Sequence, residues 1–432
     1  MARSGVPLKR ALGLAGLVFY GVGIILGAGI YSVIGVAAAR AGEALWLSFA
    51  LSSVIALVTA LSYAELAAAH PRASAEFTYL RSALPEWPSV GLVTGLLVAL
   101  SGAATAATVA IAFAGYLRTF LDAPAVPVAL GLLVAAAGMN LVGVRESGWI
   151  NAAFTLLEGG GLVLFVYAGV EAHPDRLADA LSAAPHAGVL SGAAMVFFSF
   201  LGFENIANLA EEAKRPERDV PRAILISLGV STTLYVLVAL AAVVLASPAA
   251  LAASGAPLAD AARSTSPRIA GALGGIALFA TANTALVSML VASRVIFGIA
   301  REKELPSALA ALLPRRETPW VAILGVTVVG GALIPFGGVG VVASVSSFAS
   351  LLAFASVNAA LIVLRYREPL ESRPFRVPGA IRGFPVLPAI GVVATLGMAT
   401  QLDRDALLGG AAALVAFAVY AAWHHRGGVR KA

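Results

Sequence analysis

Two carboxylates, Glu158 and Glu204, stand inside long apolar runs. Burying a carboxylate at mid-membrane depth costs roughly 2.5–3.5 kcal/mol on insertion scales. Apolar surroundings penalise the charged form, so such a group can take up and release a proton near neutral pH. Glu204 follows Phe197-Phe-Ser-Phe-Leu-Gly-Phe, a run that also places Ser199 and Gly202 among apolar residues. Two roles fit it: proton or gating chemistry, or a hydrogen bond that holds an interrupted backbone. Glu158 sits in Asn151-Ala-Ala-Phe-Thr-Leu-Leu-Glu158-Gly-Gly-Gly.

The element that must position such groups is Tyr20-Gly-Val-Gly-Ile-Ile-Leu-Gly-Ala-Gly-Ile-Tyr31, with glycines at 21, 23, 27 and 29. Each interior glycine costs a helix about 1 kcal/mol relative to alanine. Lipid offers freed backbone groups no partner. A break at Gly27-Ala28-Gly29 is therefore expected to face a polar ligand in a protein-lined cavity, as in the broken helices of secondary transporters. Close helix packing through Gly23-xxx-Gly27 is the plainer alternative. A dinucleotide-binding loop is excluded, because no strand precedes the glycines.

The chain has 432 residues, of which 59% are hydrophobic and 12% charged, and its mean hydropathy is +0.90. A soluble domain carries nearer 25% charged residues, so this is a polytopic all-α membrane protein. Twelve spans are expected: 11–39, 44–69, 90–121, 124–143, 149–170, 188–209, 221–246, 269–300, 319–335, 339–365, 384–401 and 406–423. The first is too long for the roughly 7–15-residue core of a signal peptide. Of the 29 Lys and Arg, 23 fall in segments on the side of the N-terminus and 6 on the other: Arg40, Arg118, Arg176, Arg263, Arg268 and Arg404. This asymmetry places both termini in the cytoplasm. It also explains the basic pI of 9.8 without nucleic acid. There is no cysteine, and all five histidines (70, 173, 186, 424 and 425) fall in loops or the tail. No thiolate or intramembrane histidine metal site is expected.

Spans one and six are both interrupted and lie five spans apart. A five-span repeat has inverted topology, and matched interruptions are the sequence pointer to a transporter's binding site.

Several stretches extend this reading. They are Gly27-Ala28-Gly29-Ile30; Tyr63-Ala-Glu65-Leu, followed by Pro71 and Glu76-Phe-Thr-Tyr79; and Phe198-Ser-Phe-Leu-Gly-Phe-Glu204, followed by Glu211-Glu212, Pro216 and Pro221-Arg-Ala. Further along come Ser293-Arg294, Ala300-Arg301, Leu305-Pro306, Thr318-Pro319 and Arg373-Pro-Phe-Arg-Val-Pro378. In number, order and spacing the chain resembles the amino acid–polyamine–organocation superfamily over nearly its whole length.

The resemblance implies the LeuT fold in one membrane domain: two inverted five-helix repeats (11–170 and 188–365) and two additional helices (384–423). It implies transport of amino acids or related amines. The substrate carboxylate would meet the N–H groups of Ala28, Gly29 and Ile30. The ammonium would meet carbonyls of Ile24 or Ile25 and of Phe198, Ser199 and Leu201. Wall positions would be Ala106 and Val109 in helix three, Ser288 in helix eight, and Phe198 as an aromatic gate. With no charge among these four, neutral, apolar amino acids are the expected substrates. Gly27, Gly29 and Gly202 would form the breaks.

Two departures stand out. Ser74-Ala75 replaces the family's Gly-Gly, and Glu158 stands where many members carry a lysine. Set against helices one and eight, Glu158 has three readings: a Na⁺ ligand with serine or backbone oxygens, a proton carrier, or a neutral acid bonded to backbone. Glu65, Glu211 and Glu212 could join Lys214, Arg215, Arg218 and Arg294 in an inner gate, against the alternative of a solvated loop.

An intramembrane enzyme would need a Ser/His or metal constellation in a span, and none is present. A channel would show rings of like charge or repeated polar faces, also absent. The expectation is secondary transport by alternating access in the cell (inner) membrane, with an amino acid as partner and no cofactor. Proton coupling leads, with amino acid exchange and Na⁺ coupling as alternatives.

Overall fold

The computed structural model describes residues 12–71, 75–143, 148–314, 316–368 and 373–429. Ser74 and the charged ends at 1–11 and 430–432 lie outside them. The chain is helical almost throughout, because main-chain polar groups in lipid must pair within their own segment. Nine described helical stretches are long and apolar enough to cross a membrane, and three shorter apolar helices accompany them: Leu14–Leu26, Trp320–Leu333 and Val386–Ala399.

The first apolar run is two helices, α1 (Leu14–Leu26) and α2 (Gly29–Ala41), separated at Gly27-Ala28. Then come α3 (Leu45–Ala69), α4 (Ala75–Ala83), α5 (Pro88–Leu117), α6 (Ala125–Val142), α7 (Gly148–Ala172) and the short α8 (Pro174–Leu181). The sixth apolar run is also divided. It comprises α9 (Ala187–Val196), a 3₁₀ turn at Phe197–Phe200, and α10 (Phe203–Asn208). Beyond it lie α11 (Pro216–Leu245), α12 (Pro248–Ala253), α13 (Pro257–Arg263) and α14 (Pro267–Arg301). The chain closes with α15 (Trp320–Leu333), α16 (Val339–Arg367), a two-residue hairpin (Ala380–Ile381 with Phe384–Pro385), α17 (Val386–Ala399) and α18 (Arg404–Val429). Proline opens α5, α8, α11, α12, α13 and α14, where its missing N–H is one the helix would leave unpaired anyway. His424 and His425, expected in the tail, lie on α18, which runs past the expected end of the last span.

The divided helices are the centre of the bundle: Ile25, Leu26, Ile30, Tyr31, Phe197, Phe200 and Phe203 are all buried. Valines on α6, α7, α15, α17 and α18 (134, 163, 328, 393 and 415) face outward. That exposed apolar rim is the surface lipid covers. At the end away from the chain termini, Arg40 pairs with Asp403 at 2.6 Å, and Gly115 lies against Gly255, where a Cβ would strike the neighbouring backbone. At the other end, Glu65 is buried under Arg365 and Arg373. It accepts from Arg365 through both oxygens, from Arg373 Nη1 at 3.0 Å and from the Val377 N–H at 2.7 Å. Glu65 therefore does not join Lys214, Arg215, Arg218 and Arg294. Its partners come from the end of α16 and the segment after it, which the fold folds back over α3.

Candidate functional site

The two breaks meet. A Cβ on Gly29 would lie 2.6 Å from Ser199 Cα, closer than such atoms ever approach, so the backbone of α2 touches the backbone of the 3₁₀ turn only because residue 29 is glycine.

The α1–α2 break is held by distant side chains. The last helical bond of α1 is Gly27 N–H to the Gly23 carbonyl at 3.1 Å. The Ala28 N–H turns aside and donates to Thr284 Oγ1 of α14 at 3.0 Å, releasing the Ile24 carbonyl. The hydroxyl of Tyr235, on α11, bonds the Ile25 carbonyl and lies 3.1 Å from the Ser199 carbonyl. One hydroxyl thus ties the first break to the second.

The α9–α10 break holds itself. The Leu201 N–H donates to the Phe198 carbonyl at 3.3 Å. Gly202 adopts φ +126°, a conformation L side chains rarely reach;. Its N–H donates to Glu204 Oε2 at 2.8 Å. The carboxylate two residues on therefore caps the helix it belongs to, as an anion near a helix N-terminus should.

These breaks line a cavity of about 100 Å³. That is several times the space one water needs, so it accommodates a solute of several heavy atoms. It extends from the breaks toward Tyr20 and Glu76, the end where α1 begins. Of the residues singled out from sequence, Ile24, Ile25, Gly29, Phe198, Ser199, Leu201, Gly202, Glu204 and Ser288 line it.

Others do not. Ala28 is fully buried and its N–H is taken by Thr284, so it is not free for a ligand. The Ile25 and Phe198 carbonyls are likewise engaged. Ile30 is buried one residue beyond the lining. Gly27 packs against Thr284, with a hypothetical Cβ 2.6 Å from its hydroxyl. Ala106 and Val109 are buried in packing clusters. They continue the stripe of α5 that carries Gly102 and Thr105, four residues on from each, but one turn past the end of the cavity. The wall of α5 is instead Val98, Ser101, Gly102 and Thr105.

Glu158 stands behind the breaks rather than in the cavity. It is 1% exposed, the Tyr31 hydroxyl lies 3.5 Å from its backbone carbonyl oxygen, and its Oε1 has no partner among the described residues. Its carboxyl is within electrostatic reach of the Tyr31 and Tyr235 hydroxyls.

Sequence reading missed Tyr235, Thr284 and Glu76 as parts of the site. Glu76 is buried, accepts from the Tyr63 hydroxyl at 3.1 Å and lines the cavity. The hydroxyls of this wall were traceable: Ser101 and Thr105, which line the cavity, are four apart on an apolar helix and so share a face, as do Ser346 and Ser350, of which Ser350 lines it;.

Residues 12–419 match the family model described as amino acid permease. The chain is 33% identical to an uncharacterized transporter of Mycobacterium tuberculosis, covering 94% of this chain and 89% of that one. It is 29% identical to the branched-chain amino acid permease BcaP of Bacillus subtilis, over 91% of this chain and 88% of the relative. To the vacuolar cationic amino acid transporter 8 of Arabidopsis thaliana it is 31% identical, over 83% and 64%. With its divided helices around a solute-sized cavity and this match along nearly its whole length, the chain belongs to the amino acid permease family: it is a multi-pass membrane protein that transports amino acids, and not an enzyme.

Proposed function

We propose that the chain moves amino acids by alternating access around the meeting point of its two breaks. In this reading all twelve apolar segments cross the cell membrane in the LeuT arrangement, with repeats at 11–170 and 188–365, two helices at 384–423, and both termini cytoplasmic. The 23-to-6 split of basic residues supports that orientation;. The observation that carries the site is the contact of Gly29 with Ser199 at one end of the cavity.

The substrate carboxylate meets the Gly29 N–H at the start of α2, where the helix dipole is positive. The ammonium meets the Ile24 and Leu201 carbonyls, to which no other segment among the described residues donates. Phe198 lies over the substrate as a gate. Because the cavity extends toward the end of the bundle that carries the termini, the structure corresponds to the state closed on the outer side. The apolar substrate class expected from the wall loses two of its four supporting residues, since Ala106 and Val109 lie outside the cavity.

Glu158 is the proton carrier in this reading. Its carboxyl is within electrostatic reach of the Tyr235 hydroxyl that bonds the Ile25 carbonyl and lies near that of Ser199, and one of its oxygens has no partner among the described residues. Protonation there would be felt at the Ile25 and Ser199 carbonyls together.

The test is uptake of labelled amino acids into proteoliposomes under an inward pH gradient, an inward Na⁺ gradient, or internal amino acid. Acid-driven uptake that Glu158→Gln abolishes is the expected result. Accumulation only with Na⁺ would make Glu158 a cation ligand, and flux only with internal substrate would make the protein an exchanger.

A further inference from the structure

Four hydroxyls join α5 to α16 beside the cavity. Ser346 Oγ donates to the Ser101 carbonyl oxygen at 3.1 Å. It also lies 3.0 Å from Ser101 Oγ and 2.8 Å from Thr105 Oγ1. Ser101 Oγ in turn lies 2.6 Å from Ser350 Oγ. That makes four contacts for four hydroxyl hydrogens, since each serine or threonine side chain has one O–H. Only one assignment fills all four. Ser346 is committed to the carbonyl, so Thr105 and Ser101 both donate to Ser346, and Ser350 donates to Ser101.

Every hydrogen in the set points into the seam between the helices. Ser101, Thr105 and Ser350 line the cavity, and they have only lone pairs left to offer it. Thr105 and Ser350 keep both lone pairs free and Ser101 keeps one. Glu76 and Glu204 line the same cavity, and among the described residues no lysine, arginine or histidine does; the Asn205 and Asn283 amides and the Tyr20 hydroxyl, which can donate, line it from the segments that carry the breaks and their caps;.

We infer that the side-chain end of the substrate site is an acceptor surface. It selects amino acids whose side chain ends in a hydrogen-bond donor, an amine or a hydroxyl, over apolar or carboxylate side chains of similar size. This rests on the transport reading above. An apolar side chain would strip water from these lone pairs and put nothing in its place. A carboxylate would set acceptors against acceptors.

The test uses proteoliposomes loaded with mixed amino acids and compares uptake of two labelled isosteric pairs, threonine against valine and asparagine against aspartate, and of lysine against the apolar leucine. The first member of each pair should be favoured by about two- to tenfold, the range one net hydrogen bond gives. The ranking of lysine against threonine separates amine from hydroxyl. Thr105→Val, which keeps the shape and deletes two lone pairs, should bring the threonine-to-valine ratio toward one. Valine and leucine taken up as well as their partners would overturn the inference, with the wild-type ratios deciding even if the variant does not fold. An unchanged ratio in a folded Thr105→Val would overturn it too. Uptake of no amino acid at all would instead overturn the transport reading beneath it.

Discussion

The two breaks solve one problem in opposite ways. At Leu201-Gly202 the chain looks after itself: a glycine takes the unusual φ, and Glu204, two residues away, accepts the freed N–H. At Gly27-Ala28 the chain relies on others. Its freed N–H goes to Thr284, 256 residues on, and a released carbonyl goes to Tyr235, 210 residues on. The Gly202 cap lies within its own segment, and the Tyr235 hydroxyl at the Ser199 carbonyl ties that break to α11. A break capped by α11 and α14 changes its hydrogen bonds when those helices shift. The hydrogen bonds of the first break therefore depend on where α11 and α14 stand, while the cap of the second lies two residues away in its own segment.

The contrast breaks most sharply at the glycines. Gly202→Ala forces φ +126° on an L residue and drives a Cβ into Ile24, a strain of about 1–3 kcal/mol before the clash is counted. Uptake should fall to background. Gly29→Ala sets a Cβ 2.6 Å from Ser199 Cα and should abolish transport through overpacking of about 1–3 kcal/mol, read by uptake and by melting of the purified protein.

Tyr235→Phe comes next. It leaves buried carbonyls at Ile25 and Ser199 without their donor, a loss of about 1–3 kcal/mol, and should slow uptake about tenfold while the protein still folds. Thr284→Val strands the Ala28 N–H and should cost about 1–2 kcal/mol in the same assays.

Glu204→Gln should do least to the fold, because its amide oxygen still accepts from Gly202. A shift in melting no larger than that of an ordinary surface substitution, about 0.5 kcal/mol, would uphold the self-capped description. A shift as large as that of Thr284→Val would erase the distinction between the two breaks.

The sequence made one side of this contrast far more legible than the other. Phe198 through Glu204 carries its break and its cap within seven residues, so both could be read in place. The glycines at 27 and 29 announced the other break, but nothing near them names Thr284 or Tyr235. Helical periodicity assigns a residue to a face without saying which helix that face meets. The same limit placed Ala106 and Val109 on the correct stripe of α5 and one turn too far along it. It also set Glu65 among the basic residues nearest in the inner loops, when its partners lie 300 and 308 residues away.

That last distance has a consequence for how the protein is made. At roughly 5–20 residues per second, a ribosome needs on the order of 15–60 s to travel from Glu65 to Arg365. For that interval the carboxylate has been delivered to its place without the guanidinium groups that will bury it. A nascent chain halted before α16 would hold an uncompensated acid at the end of α3. Synthesis of the tenth apolar segment and the twelve residues after it, through Val377, supplies every partner named for Glu65 and closes that interval before the last two helices are made.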